Sequence, residues 1–263
     1  MHAFVFDIET VPDVDYGRRL YGLANLDDEE VARIMFAHRR AETGGEFLPL
    51  EQHRIVAISV AFRTRDSLKV WSLGDPGAPE RELIARFYDG LEKHTPDLVT
   101  WNGAGFDLPV LHYRSLMHAV PAARYWETGD EDTAFRYNNY LSRFHWRHVD
   151  LMDVLSGFQG RGRASLDDIA TLLGFPGKLG MQGADVWDAY RAGRIAEIRN
   201  YCETDVLNTY LIYLRFQLIR GHLSVAEHKA ELARARALLA ESGKAHFTGF
   251  LAAWPEAERA PPS

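Results

Sequence analysis

Short apolar runs alternate with helix-patterned polar stretches through the first 120 positions of this chain. Residues 3–8 (AFVFDI), 54–62 (RIVAISVAF) and 68–73 (LKVWSL) are rich in β-branched and aromatic side chains and predict strands. The short Arg63–Ser67 connection predicts a hairpin between the last two. In residues 80–94, Leu83, Ile84, Phe87 and Leu91 fall on one helical face, and Pro96-Asp97 ends that helix. Leu98–Trp101 reads as a further strand, and residues 107–118 as a helix with Pro109 in its first turn. Three strands followed by alternating helix and strand predict an α/β sheet of mixed direction.

Downstream the period is helical. Residues 165–173 form a short helix opened by Ser165 and Asp168 and stopped by Gly174-Phe175-Pro176-Gly177. Residues 185–191 form another. The longest pattern spans 194–219, with Ile195, Ile198, Cys202, Val206, Tyr210 and Tyr213 every three or four positions, and residues 224–241 are Ala-rich, charged and helical. Residues 14–53, with the charged segment Asp27–Glu42 carrying Val31, Ile34 and Met35, predict a helical insertion between the first two strands. Residues 121–147 are irregular and aromatic. With no repeat and no low-complexity linker, the expected organisation is one domain over residues 1–222, then a C-terminal helix and a flexible tail over 223–263.

Composition narrows the class. Apolar content of 46% and charged content of 25% suit a globular chain of 263 residues. No apolar stretch approaches the ~20 residues needed to cross a bilayer, and the N-terminus lacks a basic leader pattern. One cysteine, Cys202, excludes an internal disulfide framework and any multi-cysteine zinc module. The cytoplasm is therefore the expected compartment. A net charge of −7 argues against a protein that coats long duplexes, but not against an enzyme that concentrates acid at a metal centre.

Three acidic motifs carry candidate chemistry. Asp7 and Glu9 flank Ile8 at the end of the first strand, so both point to one side. Two such carboxylates repel unless a hard cation lies between them; otherwise they are solvated acids at a strand end. Asp107 follows Trp101-Asn102-Gly103-Ala104-Gly105-Phe106 and opens a helix, where it also makes a good N-cap. Tyr201 and Asp205, four apart on the longest helix, share an otherwise apolar face. A carboxylate there is costly unless metal-bound or paired, for instance with Tyr201.

In this order, D-x-E on a strand, N-G-x-x-F-D at a turn and Y-x-x-x-D on a late helix, the chain resembles the DEDD exonuclease superfamily in its tyrosine-containing branch. It looks most like the stand-alone bacterial proteins similar to the proofreading domain of family B DNA polymerases. His148–Asp153 and Leu173–Gly183 resemble that group too, and the resemblance covers roughly residues 3 to 220. It implies an RNase H-like α/β fold: a central mixed sheet of five or six strands flanked by helices. It also implies 3′→5′ hydrolysis of phosphodiester bonds by two Mg²⁺ or Mn²⁺ ions, releasing 5′-mononucleotides. Asp7 would bridge the ions, Glu9 and Asp205 would complete the first site, and Asp107 would serve the second. Tyr201 would orient the attacking water, since a phenol is a poor base at neutral pH.

The expected substrate is nucleic acid: DNA as a single strand or 3′ end, in repair or end trimming, with RNA as the alternative. A catalytically silent binding module is the competing class, and the intact acids oppose it. Asn102, Phe106 and Leu108 are expected at the 3′-end pocket, and Lys178, Arg161 and Arg163 near phosphates. The stretch 135–148 interleaves aromatics with Arg136, Arg143 and Arg147, which suits either base stacking or an irregular piece of core. His148 and Asp150 lack further ligands at zinc spacing, so a structural role is expected.

Overall fold

The computed structural model describes residues 1–255. Its first strand, β1 (Ala3–Pro12), sorts the molecule into layers by alternation. Phe4, Phe6 and Ile8 face one apolar cluster, while Ala3 and Val5 face another. β1 runs four residues beyond the expected end at Ile8, with a register irregularity at Glu9/Thr10. Asp7 and Glu9 therefore sit inside the strand, and the reading of two solvated acids at a strand end does not hold.

The expected insertion is helical but divided: α1 (Val14–Tyr21) and α2 (Asp28–Thr43) are separated at Gly22, whose φ of 68° ends α1 in the left-handed region. Asp27 and Glu30 form a capping box at the start of α2, and Val31, Ala32 and Met35 bury its inner face. The chain then gives β2 (His53–Arg63) and β3 (Leu68–Ser72), paired antiparallel as the hairpin pattern predicts. α3 (Glu80–His94), β4 (Asp97–Thr100), α4 (Asp107–His118) and the short α5 (Ala123–Trp126) follow. β5 (His148–Asp150) and α6 (Leu151–Leu155) come next, then α7 (Leu166–Leu173), α8 (Val186–Arg191) and α9 (Ile195–Ile219).

The five strands are ordered β3-β2-β1-β4-β5. β2 runs antiparallel to β1 and β3, and β4 runs parallel to β1 and β5. α3 and α4 cover the face of Phe4 and Phe6; α9 covers the face of Val5. This mixed sheet between helical layers matches the RNase H-like expectation. The aromatic stretch 135–148 divides. Phe135 and Tyr140 are core residues, whereas Phe144 and Trp146 lie open.

After α9 the chain forms α10 (Val225–Glu241) and α11 (Ala245–Ala253), where one helix and a tail were expected. Phe247, Phe250 and Trp254 join the same cluster as Val5 and Val99. Arg63 donates to both oxygens of Glu231 at 2.7 and 2.6 Å, and Tyr210 donates to Glu231 at 3.0 Å. This buried fork ties α10 to β2 and α9. The tail end, residues 256–263, lies outside the described residues. No helix among the described residues is long and apolar enough to cross a membrane.

Candidate functional site

Odd-numbered positions of β1 face α9, so the alternation that buries Val5 also turns Asp7 and Glu9 toward Tyr201, Cys202 and Asp205. Asp107 arrives from the other side. It is the first residue inside α4, not its cap; the capping position is Phe106 and has no side-chain cap bond. Its Oδ1 accepts the Ile8 N–H at 3.1 Å, which locks the carboxylate against β1. The N-cap reading of Asp107 is thus overturned by a bond to a different element.

The turn that delivers Asp107 is itself held. Asp150 accepts the N–H groups of Asn102 and Ala104 at 3.0 and 2.9 Å while capping α6 through Met152. Asn102 adopts φ 63°, a region that Asn tolerates better than most residues. Gly103 has no spare room: a Cβ there would stand 2.5 Å from the Thr100 side chain. His148 bonds Thr100 at 2.9 Å, and burial pushes its imidazole down to about 4. His148 and Asp150 are therefore structural in their contacts.

Glu9, Asp107, Tyr201 and Asp205 are buried, and Asp7 is partly so. Burial raises the Asp7 carboxyl well above the usual range, with Asp107 and Asp205 adding repulsion. Glu9 is raised by burial and then by Asp7 and Asp205. Burial, with repulsion from Asp150 added, lifts Asp107 to about 7. It lifts Asp205 to about 6, against the pull of Lys178 and the Tyr201 hydroxyl. Four carboxyls from β1, α4 and α9 thus crowd one region and resist ionising together. Asp205 Oδ1 is buried with no hydrogen-bond partner among the described residues. An orphaned carboxylate oxygen among raised acids, all oxygen donors, fits a hard divalent cation.

Lys178 enters from the loop after α7. Its Nζ donates to the Tyr201 hydroxyl at 2.9 Å and stands 4.0 Å from Asp205 Oδ2. Asn208, one turn beyond Asp205, holds this loop: its Nδ2 donates to Gly177 O at 2.8 Å, and its Oδ1 accepts from Gly177 N at 3.2 Å. Gly177 has φ 66°, and a Cβ there would stand 2.4 Å from Asp167 Oδ1. Sequence reasoning passed over Asn208; an amide at i+3 from Asp205 on an apolar face was the available signal.

Cys202 was also missed as a neighbour of the acids. Its thiol donates to Asp7 O at 3.4 Å and Asp7 Oδ2 at 3.6 Å, and the donor atoms of Asp7, Glu9 and Cys202 lie within 4.8 Å of one another. Burial and the nearby carboxylates push the thiol upward, so it stays protonated. It is a hydrogen-bond donor to Asp7, not a thiolate ligand.

A cavity of about 560 Å³ opens beside Glu9, lined by Thr10, Phe47, His53, Phe106 and Trp187 among others. Phe106 packs on Phe47 and His53 at 5.5 and 5.1 Å between ring centroids. Asn102 and Leu108, expected with Phe106 at a 3′-end pocket, do not line this cavity; Leu108 is 3% exposed and borders a different cavity behind the turn. Its neighbour in sequence, Asp107, faces the acids, and helical geometry sends the two side chains apart. Arg163 is engaged with Asp153 at 2.6 Å, and Arg161 is exposed on the same loop. The structure therefore brings together Asp7, Glu9, Asp107, Tyr201, Asp205 and Lys178, and leaves Arg161, Arg163 and Leu108 outside that cluster.

No curated protein matches this chain. A family model described as a predicted 3′-5′ exonuclease related to the exonuclease domain of PolB matches residues 45–254, well over half of it. That span holds Asp107, Tyr201 and Asp205 but starts after β1. β1 is the central strand, so the matched region cannot complete its sheet without the residues that carry Asp7 and Glu9. The chain belongs to this family of predicted 3′-5′ exonucleases related to the exonuclease domain of PolB.

Proposed function

We propose that this protein is a metal-dependent 3′→5′ exonuclease that removes 5′-mononucleotides from single-stranded DNA or DNA 3′ ends. The observation that carries the reading is the orphaned Asp205 oxygen within a cluster of four raised carboxyls. Asp7, Glu9 and Asp205 would hold one divalent ion, and Asp7 with Asp107 a second. When bound, Mg²⁺ or Mn²⁺ would supply positive charge for the attacking and leaving oxygens and acidify a water.

The remaining roles belong to side chains. Burial and the three nearby acids push the Tyr201 phenol far upward, so it keeps its proton and donates it as a hydrogen bond, positioning water or a phosphate oxygen. Lys178, anchored through Asn208, offers its ammonium to the scissile phosphate beside Tyr201. The cavity beside Glu9 takes the terminal nucleoside, with Phe106 and Phe47 as an aromatic wall.

Tyr201→Phe is expected to lower kcat about 10–100-fold, the cost of a misplaced reactant. The Mn²⁺-induced rise in Tm should persist in that variant. Wild-type turnover would remove Tyr201 from the mechanism.

The whole reading is tested with end-labelled single- and double-stranded DNA and RNA, with and without Mg²⁺ or Mn²⁺, beside Asp7→Ala. Stepwise loss from the 3′ end of DNA, dependent on metal and absent in Asp7→Ala, is the expected result. Faster loss from RNA would reassign the substrate. No cleavage, with no Mn²⁺-induced rise in Tm, would identify a silent binding module.

A further inference from the structure

Behind the Asn102–Phe106 turn lies a second, smaller cavity of about 200 Å³. The first turn of α4 separates it from the acids, with Asp107 on one side and Leu108 on the other. Its walls are aromatic: Tyr125 stacks on Tyr140 at 5.8 Å with rings 8° apart, and His112 lies 5.0 Å from Tyr125. His112 Nε2 is buried with no hydrogen-bond partner among the described residues. Burial pushes that imidazole down to about 4, so at neutral pH it is uncharged and keeps one donor and one acceptor.

The mouth is built differently from the floor. Phe158 and the 74% exposed Phe144 meet at 5.8 Å, and the Arg143 guanidinium stands 4.5 Å over the Phe158 ring. Phe158 reaches this place through two successive left-handed residues, Gly157 and Phe158, both at φ 60°. A phenylalanine rarely adopts that backbone, and the Phe158 N–H bond to Asp153 O at 2.7 Å helps to hold it. Two carboxylates also border the cavity, and both are committed. Asp150 accepts backbone N–H groups of the turn and of α6, and Asp153 pairs with Arg163. Arg161 and Arg163 extend the loop that carries Phe158.

We propose that this cavity is a second base-binding subsite, taking an unpaired nucleobase of the substrate strand on the 5′ side of the scissile phosphate. Phe158, with Phe144 edge-on beside it, supplies the stacking face, Arg143 the partner for the adjoining phosphate, and His112 a single polar contact for the base edge. Stacking of this kind tolerates every base, because each has a π-face. The chemistry accounts for the open aromatic–arginine cluster on a chain whose net charge is −7. A strand occupying this subsite and the terminal one must be unpaired over more than its last nucleotide. The inference rests on the exonuclease reading above.

The test compares two substrates in Mn²⁺. The p-nitrophenyl ester of thymidine 5′-monophosphate reports on the acid cluster and the cavity beside Glu9; a 12-nucleotide single-stranded DNA also spans the second cavity. Phe158→Ala is expected to lower the ratio of kcat/KM for the oligonucleotide over the ester about tenfold, mainly through KM. Phe158→Tyr should restore the ratio. Arg143→Gln, at an exposed position, should lower it as well and guards against a fold defect in Phe158→Ala. A ratio within twofold of wild type in both Phe158→Ala and Arg143→Gln overturns the subsite while leaving the exonuclease intact. A wild-type protein that hydrolyses neither substrate overturns both.

Discussion

Asp205→Ala should lower metal-dependent hydrolysis at 3′ ends by at least about 10³-fold, equivalent to about 4 kcal/mol in the barrier. The size follows from the job the residue is placed to do. Asp205 projects from the buried face of α9, and one of its oxygens has no partner among the described residues. In the proposed site, removing it would delete a ligand from an ion that would stabilise charge on the attacking and leaving oxygens. Oδ1 makes no hydrogen bond among the described residues, so the variant should keep its far-ultraviolet circular dichroism and its cooperative unfolding. Single-turnover cleavage of an end-labelled strand is the measurement. A loss smaller than tenfold in a folded variant would remove Asp205 from the metal centre.

Asp107→Asn gives the second large effect, and its sign depends on metal. The folded carboxyl sits at about 7 against an ordinary value of 3.8, raised chiefly by burial. A group raised in the folded state stabilises fully below its unfolded value and loses that contribution as pH climbs through the folded one. In EDTA, then, the wild type loses stability at this residue between about pH 4 and 7, up to about 4 kcal/mol. Asparagine keeps an oxygen for the Ile8 N–H and carries no charge to desolvate. In EDTA at pH 8 the variant should melt several degrees above wild type, and at pH 4 the two should converge. Saturating Mn²⁺ should reverse the order at pH 8, because only the wild type gains the ligand. Comparing variant with wild type also cancels the buried His53, His112 and His148, whose lowered values act in the opposite direction. Equal melting points in EDTA across the pH range would refute the raised carboxyl.

The sheet and the clustering of the candidate side chains were legible because both rest on periodicity. Alternation put Asp7 and Glu9 on one side of a strand, and the helical period put Tyr201 and Asp205 on one face. What escaped notice was set by contacts distant in sequence. β5 has three residues, too few for a pattern, and exists because it pairs with β4. Thr10–Pro12 extend β1 only because Ile55, Arg54 and His53 lie opposite. α11 contains Gly249 and little charge, so nothing local separates it from a tail; Phe247 and Phe250 form it by burial against the sheet layer. Leu108 borders a different cavity from Phe106, two residues earlier, because each residue of helix turns the side chain through about 100°.

The acids of β1 meet their partners over long stretches of chain: 99 residues separate Ile8 from the Asp107 that it binds, and 195 separate Asp7 from Cys202. Such contacts close late, after the loops between them have lost their freedom. A chain still being synthesised, or clipped within the loops before α9, holds Asp7, Glu9 and even Asp107 with no fourth acid to complete the set. The candidate centre is therefore distributed so that no fragment short of α9 carries all four acids, and hydrolysis at it would begin only once the whole sheet and its covering helix stand together.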